Sequence, residues 1–143
     1  MRIYAKSVII HEGGCVVIKS SVKNWSDAKF KGWIISLLRR GTMRWPPANQ
    51  CLRAAKRGKK INPLTGRMAE HYECAECHQL FPLKQVCKDH ILPVVDTVRG
   101  FVDWNTYIER MFCAIDKWQI ICRSCHDVKS AQERKDRKCG ISS

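Results

Sequence analysis

The sequence predicts a small α+β protein with a basic N-terminal arm followed by a cysteine-bearing domain. Three observations support this prediction: β-rich runs near the N terminus, apolar residues at helical spacing in several segments, and two C-x-x-C pairs in the second half. The chain has 143 residues and is 45% apolar, which is enough for one hydrophobic core. We place the arm at residues 1–70 and the cysteine-bearing domain at residues 71–143.

The arm is expected to begin with a hairpin and a helix. Residues 3–10 and 15–18 are rich in β-branched side chains and flank the sequence His-Glu-Gly-Gly at 11–14, which favours a hairpin. Ser26 is a suitable N-cap for a first helix, whose apolar residues follow a period of 3.6 up to Gly41.

A second helix and a basic loop are expected to complete the arm. Pro46 and Pro47 suit the start of a helix over residues 48–57, since proline is tolerated in the first helical turn. Residues 56–67 contain two glycines and a proline among basic side chains, which predicts a loop or linker.

Positive charge is concentrated in the arm. The whole chain carries a formal charge of +13, and there is no acidic residue from position 28 to position 69. An excess of this kind favours binding of a polyanion, with nucleic acid as the first expectation. The DNA-binding residues that we predict are Arg39, Arg40, Arg44, Arg53, Lys56, Arg57, Lys59 and Lys60.

The distribution of apolar and cysteine residues indicates the cellular compartment. No apolar stretch is long enough for a signal peptide or a membrane span, so we expect a cytoplasmic protein without a membrane partner. Nine cysteines in a chain without an export signal favour metal ligands or free thiols over a disulfide framework.

The two C-x-x-C pairs predict a structural Zn²⁺ site. Each pair places two thiolates on a tight turn, and two pairs supply the four ligands of a tetrahedral site. The predicted ligands are Cys74, Cys77, Cys122 and Cys125, and 44 residues separate the two pairs. A histidine follows each pair, which also matches the pattern for covalent haem attachment, but that route requires export.

The second half also resembles a known family. Its motifs are the first C-x-x-C pair, Asp-His-Ile-x-Pro from Asp89, and Trp-Gln-Ile-Ile-Cys-x-x-Cys-His-x-x-Lys from Trp118. Over residues 72–133 these motifs resemble the zinc-bearing HNH endonucleases, which have the ββα-metal fold, and in particular those encoded by phages. The resemblance implies a metal-dependent endonuclease that hydrolyses DNA to products with 5′-phosphates. It also implies a homing-type or accessory enzyme acting in the host cytoplasm.

The chemistry of phosphodiester hydrolysis gives these motif residues distinct roles. Asp89 offers a carboxylate oxygen to a catalytic Mg²⁺ or Mn²⁺, and His126 offers a nitrogen from the helix expected from about Cys122 towards Lys138. Adjacent residues of a strand point to opposite faces, so His90 is free to act as the general base on water.

The sequence departs from the family at its middle residue. An asparagine usually precedes the second strand, whereas Lys117 stands at that position here. Asn105 is another candidate for this catalytic role, although Asp103 can cap a helix that would hold Asn105 in its first turn. Lys117 is also a candidate phosphate contact, and Asp116 is a candidate additional metal ligand.

The function we predict is a DNA endonuclease that nicks or cuts both strands, with double-stranded DNA as its partner and a homodimer as a further expectation. The main alternative is a zinc-stabilised DNA-binding protein whose nuclease centre is degenerate because of Lys117. A third reading has RNA in place of DNA.

Overall fold

The computed structural model describes residues 11–12, 15–16 and 21–140. In chain order the elements are β1 (His11–Glu12), β2 (Cys15–Val16), α1 (Asp27–Thr42), α2 (Pro46–Ala54), β3 (Lys56–Ile61), β4 (Met68–Glu73), β5 (Leu80–Pro82), β6 (Val86–His90), α3 (Trp104–Met111), β7 (Trp118–Cys122) and α4 (Arg123–Gly140). None of the described helices has the length and apolar character needed to cross a bilayer. The protein is therefore a small α+β structure, as the sequence predicts.

The N-terminal hairpin is only partly within the described residues. β1 and β2 pair antiparallel, with His11 opposite Val16 and Glu12 opposite Cys15. The rest of the predicted strands, at 3–10 and 17–18, lies outside the described residues.

A β-hairpin followed by a helix forms the centre of the second half. β6 pairs antiparallel with β7 over their full length, from Val86 opposite Cys122 to His90 opposite Trp118. α4 follows β7 directly and packs against both strands. β7 supplies much of the core, since Ile120 and Ile121 are 2% and 0% exposed. The expected strand that ends at Asp89 and His90 is present as β6, and the helix expected from about Cys122 towards Lys138 is present as α4.

A second sheet occupies the segment that the sequence assigned to a basic loop. β3, β4 and β5 pair antiparallel in chain order, so the loop prediction for 56–67 is wrong over Lys56–Ile61. All six β3 residues are exposed, which explains why the segment lacks the alternating apolar pattern of a strand. Gly58 adopts a φ of +92° where the pairing of β3 with β4 shifts register, a conformation that glycine adopts without strain.

The helices of the arm pack on the second half of the chain. Ser26 caps α1 as predicted, accepting a hydrogen bond from the Lys29 amide at 3.2 Å. α2 contacts β6 and β7 and buries Ala48 completely, while α1 contacts α3. α2 ends at Ala54, three residues earlier than predicted, because the chain enters β3 at Lys56. β4 runs across residue 70, where the arm was expected to end.

Two further contacts join the arm to the rest of the protein. The Lys88 ammonium on β6 donates to the Met43 carbonyl and to Asn49 Oδ1, both at 2.9 Å. The Trp45 indole donates to the Cys113 carbonyl at 2.8 Å, and its ring packs edge-on against Phe112. These contacts bring the C-terminal end of α1 close to β6.

α3 is shorter than the apolar pattern indicates. Asp103 caps it as predicted by accepting from the Thr106 amide at 2.8 Å. The apolar residues Trp104, Ile108, Met111, Phe112 and Ile115 have helical spacing, which predicts a helix as far as Ile115. The helix ends at Met111, because Phe112 leaves the helical region with φ −110° and ψ 46°. A short 3₁₀ turn at Ile115–Lys117 then leads into β7.

Candidate metal and catalytic sites

The four predicted zinc ligands meet in space. The sulfur atoms of Cys74, Cys77, Cys122 and Cys125 all lie within 4.8 Å of one another. The first two lie on the turn between β4 and β5, whereas Cys122 ends β7 and Cys125 lies in the first turn of α4. Four thiolates at these separations suit a tetrahedral metal ion, so this cluster could hold zinc.

Backbone geometry prepares the cluster for thiolates. The Cys122 amide points at the Cys74 sulfur at 3.2 Å, and the Cys125 amide points at the Cys122 sulfur at 3.5 Å. Burial opposes ionisation of Cys74, but amide hydrogen bonds outweigh it and lower the pKa of this thiol to about 6. Cys125 donates within the cluster, chiefly to Cys122, and this raises its pKa to about 12. Metal-free protein therefore keeps protons that a metal ion must displace.

The turn after Cys77 requires an unusual backbone conformation. His78 has a φ of +57°, in the left-handed region, and its amide donates to the Cys74 carbonyl at 2.9 Å. Its ring is exposed and lies 3.4 Å from Glu73 Oε1. His78 therefore stabilises the turn through its backbone and is not one of the four candidate metal ligands.

A second polar cluster forms where β6 ends beside α4. Asp89 is 14% exposed, and its Oδ1 lies 3.8 Å from His126 Nε2. Its Oδ2 accepts from Gln119 Nε2 at 2.9 Å and from Lys129 Nζ at 2.5 Å. The structure thus brings together the two residues predicted to bind a catalytic metal, and it adds an ammonium group to them.

His90 follows Asp89 at the end of β6, and its ring is held by partners of its own. Its Nε2 lies 2.9 Å from the Met111 carbonyl, which can only accept, so Nε2 carries a proton and Nδ1 of the neutral ring is an acceptor. The ring also packs on Trp118, with 3.8 Å between ring centroids. Burial lowers the pKa of His90, which favours the neutral ring. A neutral imidazole that is oriented through Nε2 and has Nδ1 as an acceptor can take a proton from water.

Asp89, His90 and His126 open into one cleft of about 330 Å³. α1 and α4 flank it and contribute residues of both charges. Its other lining residues are Arg39, Thr42, Lys88, Pro93, Val94, Val95, Met111, Trp118, Lys129, Glu133 and Arg137. Basic side chains outnumber acidic ones among the residues that line the cleft, which suits a phosphate-containing ligand.

The two candidates for the middle catalytic residue lie outside this cleft. The exposed Lys117 ammonium pairs with Asp116 at 2.9 Å, although the Lys117 carbonyl accepts from the Ile91 amide next to the cleft. Asp116 is likewise exposed and occupied by that ion pair. Asn105 is exposed in the first turn of α3. Neither Lys117 nor Asn105 is among the cleft-lining residues.

The predicted DNA-binding residues are spread over three places. Only Arg39 lines the cleft, while Arg40 and Arg44 are exposed near the end of α1. Arg53 is exposed on α2. On β3, Lys56 and Arg57 pair with Glu70 and Glu73, whereas Lys59 and Lys60 extend along the exposed strand. The predicted set therefore spans the α1–α2 region and β3.

Two cleft contacts were missed at the sequence level. Lys129 also donates to the His90 carbonyl, so it touches both members of the Asp-His pair. It stands three positions after His126 on α4, and this spacing alone places both side chains on one helix face. Gln119 and Lys129 both stand in the motif that begins at Trp118, but only the β6–β7 register, which places Gln119 opposite Asp89, shows that Gln119 binds the carboxylate. Comparison of the chain with protein families, curated proteins and solved structures finds no match.

Proposed function

We propose that the protein is a metal-dependent endonuclease that hydrolyses DNA, of the HNH type. The observation that carries this proposal is the convergence of Asp89, His90 and His126 in one cleft, with the first and last 3.8 Å apart. The β6–β7–α4 unit that holds them is also the order expected of a ββα-metal finger. No other described residues combine a candidate cation site with an adjacent general base in this way.

The Asp89–His126 pair fits a catalytic divalent cation. Two donor atoms 3.8 Å apart can both reach one ion at about 2.1 Å, leaving its other positions to water and phosphate oxygens. Such an ion, Mg²⁺ or Mn²⁺, would neutralise the phosphoryl oxygens and stabilise the departing 3′-oxygen. The proton transfer in the proposed reaction is carried out by a side chain of the protein.

His90 performs the proton transfer in this mechanism. Its Nδ1 removes a proton from water as the water oxygen attacks phosphorus, and the bond to the 3′-oxygen breaks, leaving a 5′-phosphate. The Met111 carbonyl stabilises the imidazolium through Nε2 and holds the ring in one orientation, as an orienting acceptor does in catalytic triads. Trp118 packs against the ring and limits its rotation.

Zinc in the four-cysteine cluster would stabilise this site from a distance. Cys122 is the last residue of β7 and Cys125 lies in the first turn of α4, so a bound ion fixes the angle at which the helix leaves the strand. His126 is the next residue after Cys125. We therefore assign Zn²⁺ a structural role that positions His126 relative to Asp89.

A zinc-stabilised DNA-binding protein without cleavage activity is the second candidate function. It is favoured by one observation: the Lys129 ammonium already neutralises Asp89, at 2.5 Å. If the Lys129 ammonium stays bound to Asp89 and excludes a second cation, the Asp89 carboxylate does not bind a divalent metal ion. Both candidate functions take double-stranded DNA as the partner.

Cleavage of supercoiled plasmid separates the two candidates. Zinc-loaded wild-type protein should nick or linearise plasmid with Mg²⁺ or Mn²⁺ and not without them. His90→Ala should lower the rate about 10²–10⁴-fold, while DNA affinity measured without added Mg²⁺ or Mn²⁺ stays the same. His78→Asn is the matched control, because it alters a histidine outside the cleft at a φ that asparagine tolerates. Binding without cleavage under any divalent metal, identical in wild type and His90→Ala, would leave the binding protein as the function.

A further inference from the structure

The turn that joins β3 to β4 presents three apolar side chains to solvent. We call Ile61, Leu64 and Met68 the ribbon tip; their exposed fractions are 64%, 75% and 62%. Ile61 and Met68 stand directly opposite each other in the strand register, and Leu64 lies in the turn between them. Side chains so exposed contribute little to the core, and a cluster of them at a hairpin end marks an interaction site.

The ribbon tip is held by hydrogen bonds within its turn. The Asn62 amide donates to the Arg67 carbonyl at 2.8 Å, and Asn62 Oδ1 accepts from the Leu64 amide at 3.0 Å. Gly66 has a φ of +67° and donates to the Asn62 carbonyl at 2.8 Å, which closes the turn. Leu64 is therefore held at the apex before any partner binds, which reduces the entropy lost on binding.

Cations flank the ribbon tip. Within the part of the chain that the structure describes, no ion pair holds Lys59, Lys60 or Arg67, whereas Lys56 and Arg57 further down the hairpin pair with acids at 3.1 and 2.7 Å. Residues 56–69 contain no acidic side chain at all. An apolar point between cations is complementary to duplex DNA, where stacked bases lie between two lines of phosphates.

We propose that the ribbon tip is a DNA wedge: Leu64 inserts between adjacent base pairs from the minor groove while Lys59, Lys60 and Arg67 bind the flanking phosphates. This rests on the proposed function only in taking duplex DNA as the polyanion. A bilayer is the less suitable partner, because residues 56–69 have no tryptophan or tyrosine to anchor at a membrane interface. Apolar wedges of this kind partly unstack a base step and bend the duplex.

Base unstacking by the zinc-loaded protein, without added Mg²⁺ or Mn²⁺, tests the wedge independently of cleavage. We would use short duplexes that carry 2-aminopurine at successive positions, including flexible TA and CA steps, and saturate them with protein. Wild type should raise the fluorescence of at least one duplex roughly twofold, because unstacking relieves quenching. Leu64→Ala should abolish the rise at saturation, whereas Leu83→Ala, at a leucine that is 54% exposed outside the ribbon, should keep it.

A charge variant and a vesicle assay complete the test. Lys59→Gln with Lys60→Gln should lower the log–log salt slope by roughly 0.9 per lysine, while the fluorescence rise returns at saturation. The wedge would be overturned if wild type bound the duplexes without a rise in fluorescence, or if Leu64→Ala gave the same rise as wild type. So would Leu64-dependent binding to phosphatidylglycerol vesicles with unchanged DNA fluorescence. Failure of the nuclease assignment appears instead as intact plasmid in Mg²⁺ or Mn²⁺ while this fluorescence signal persists.

Discussion

The Lys129 ammonium lies 2.5 Å from Asp89 Oδ2, on the opposite side of the carboxylate from His126. It also approaches Glu133 at 3.5 Å on its own helix, and its side chain is only 23% exposed. Lys129 therefore supplies a positive charge to the carboxylate that we assign to the catalytic cation. The two cations can share Asp89, one on each oxygen, but they repel each other.

Removal of this ammonium should strengthen metal binding. Lys129→Met keeps the aliphatic stem and removes the charge, so Mn²⁺ affinity in the absence of DNA should rise several-fold, up to about tenfold. Titration calorimetry of the zinc-loaded protein measures it. Lys135→Met, at an exposed lysine of the same helix, should leave the affinity unchanged. Weaker Mn²⁺ binding in Lys129→Met would mean that the lysine positions Asp89 more than it competes with the metal.

The cysteine cluster leads to a prediction about folding. Purified protein should contain close to one Zn²⁺ per chain, and Cys74→Ser should unfold the region around β7 and α4, because structural zinc contributes on the order of 10 kcal/mol to small metal domains. Elemental analysis and limited proteolysis check the two parts. Cys139→Ser is the control, since this exposed thiol lies outside the cluster. Folded wild type free of metal would contradict the assignment.

The parts of the site that could be predicted from sequence are those set by short spacing. The C-x-x-C turns, the Asp-His pair at a strand end and the helix that carries Cys125 and His126 are local features, so nearby residues alone indicate their geometry. The convergence of Asp89 with His126 follows from the β6–β7 pairing, which an apolar strand and an adjacent helix make foreseeable.

What sequence did not indicate depends on tertiary pairing. β3 forms a strand because β4 supplies its hydrogen-bond partners. Its own residues have no apolar alternation, so the basic segment Lys56–Ile61 has the sequence character of a loop. The Met111 carbonyl that orients His90 is a backbone atom, and no residue type signals such a role. Lys117 lies in the 3₁₀ turn at Ile115–Lys117, which the apolar pattern did not indicate, whereas the helix capped by Asp103 that holds Asn105 in its first turn was expected.

The rate of cleavage should depend on pH through His90. Burial lowers the pKa of His90, and this outweighs the hydrogen bond to Met111 and the charge of Asp89, which both raise it. Because the base must be neutral, the rate should fall as pH drops through this lowered pKa and should be flat above about pH 6.5. Single-turnover rates with saturating Mn²⁺ from acid to neutral pH measure the profile. A rate that keeps rising in proportion to hydroxide would exclude His90 as the limiting base.

Replacement of the Lys117 side chain should have little effect on cleavage. Its ammonium pairs with Asp116 at 2.9 Å and is exposed outside the cleft, while only its backbone carbonyl, which binds the Ile91 amide at 2.9 Å, supports the end of β6. Lys117→Asn introduces the residue usual in the HNH endonucleases that the sequence resembles, and it keeps that carbonyl. The cleavage rate should therefore stay within about threefold of wild type, the change expected for an exposed side chain that makes no contact in the transition state. Plasmid cleavage under single-turnover conditions measures it, with Lys84→Asn, another exposed lysine, as the control. A large gain in rate would show that Lys117 disables the centre, and a large loss would show that its ammonium reaches the scissile phosphate once DNA is bound.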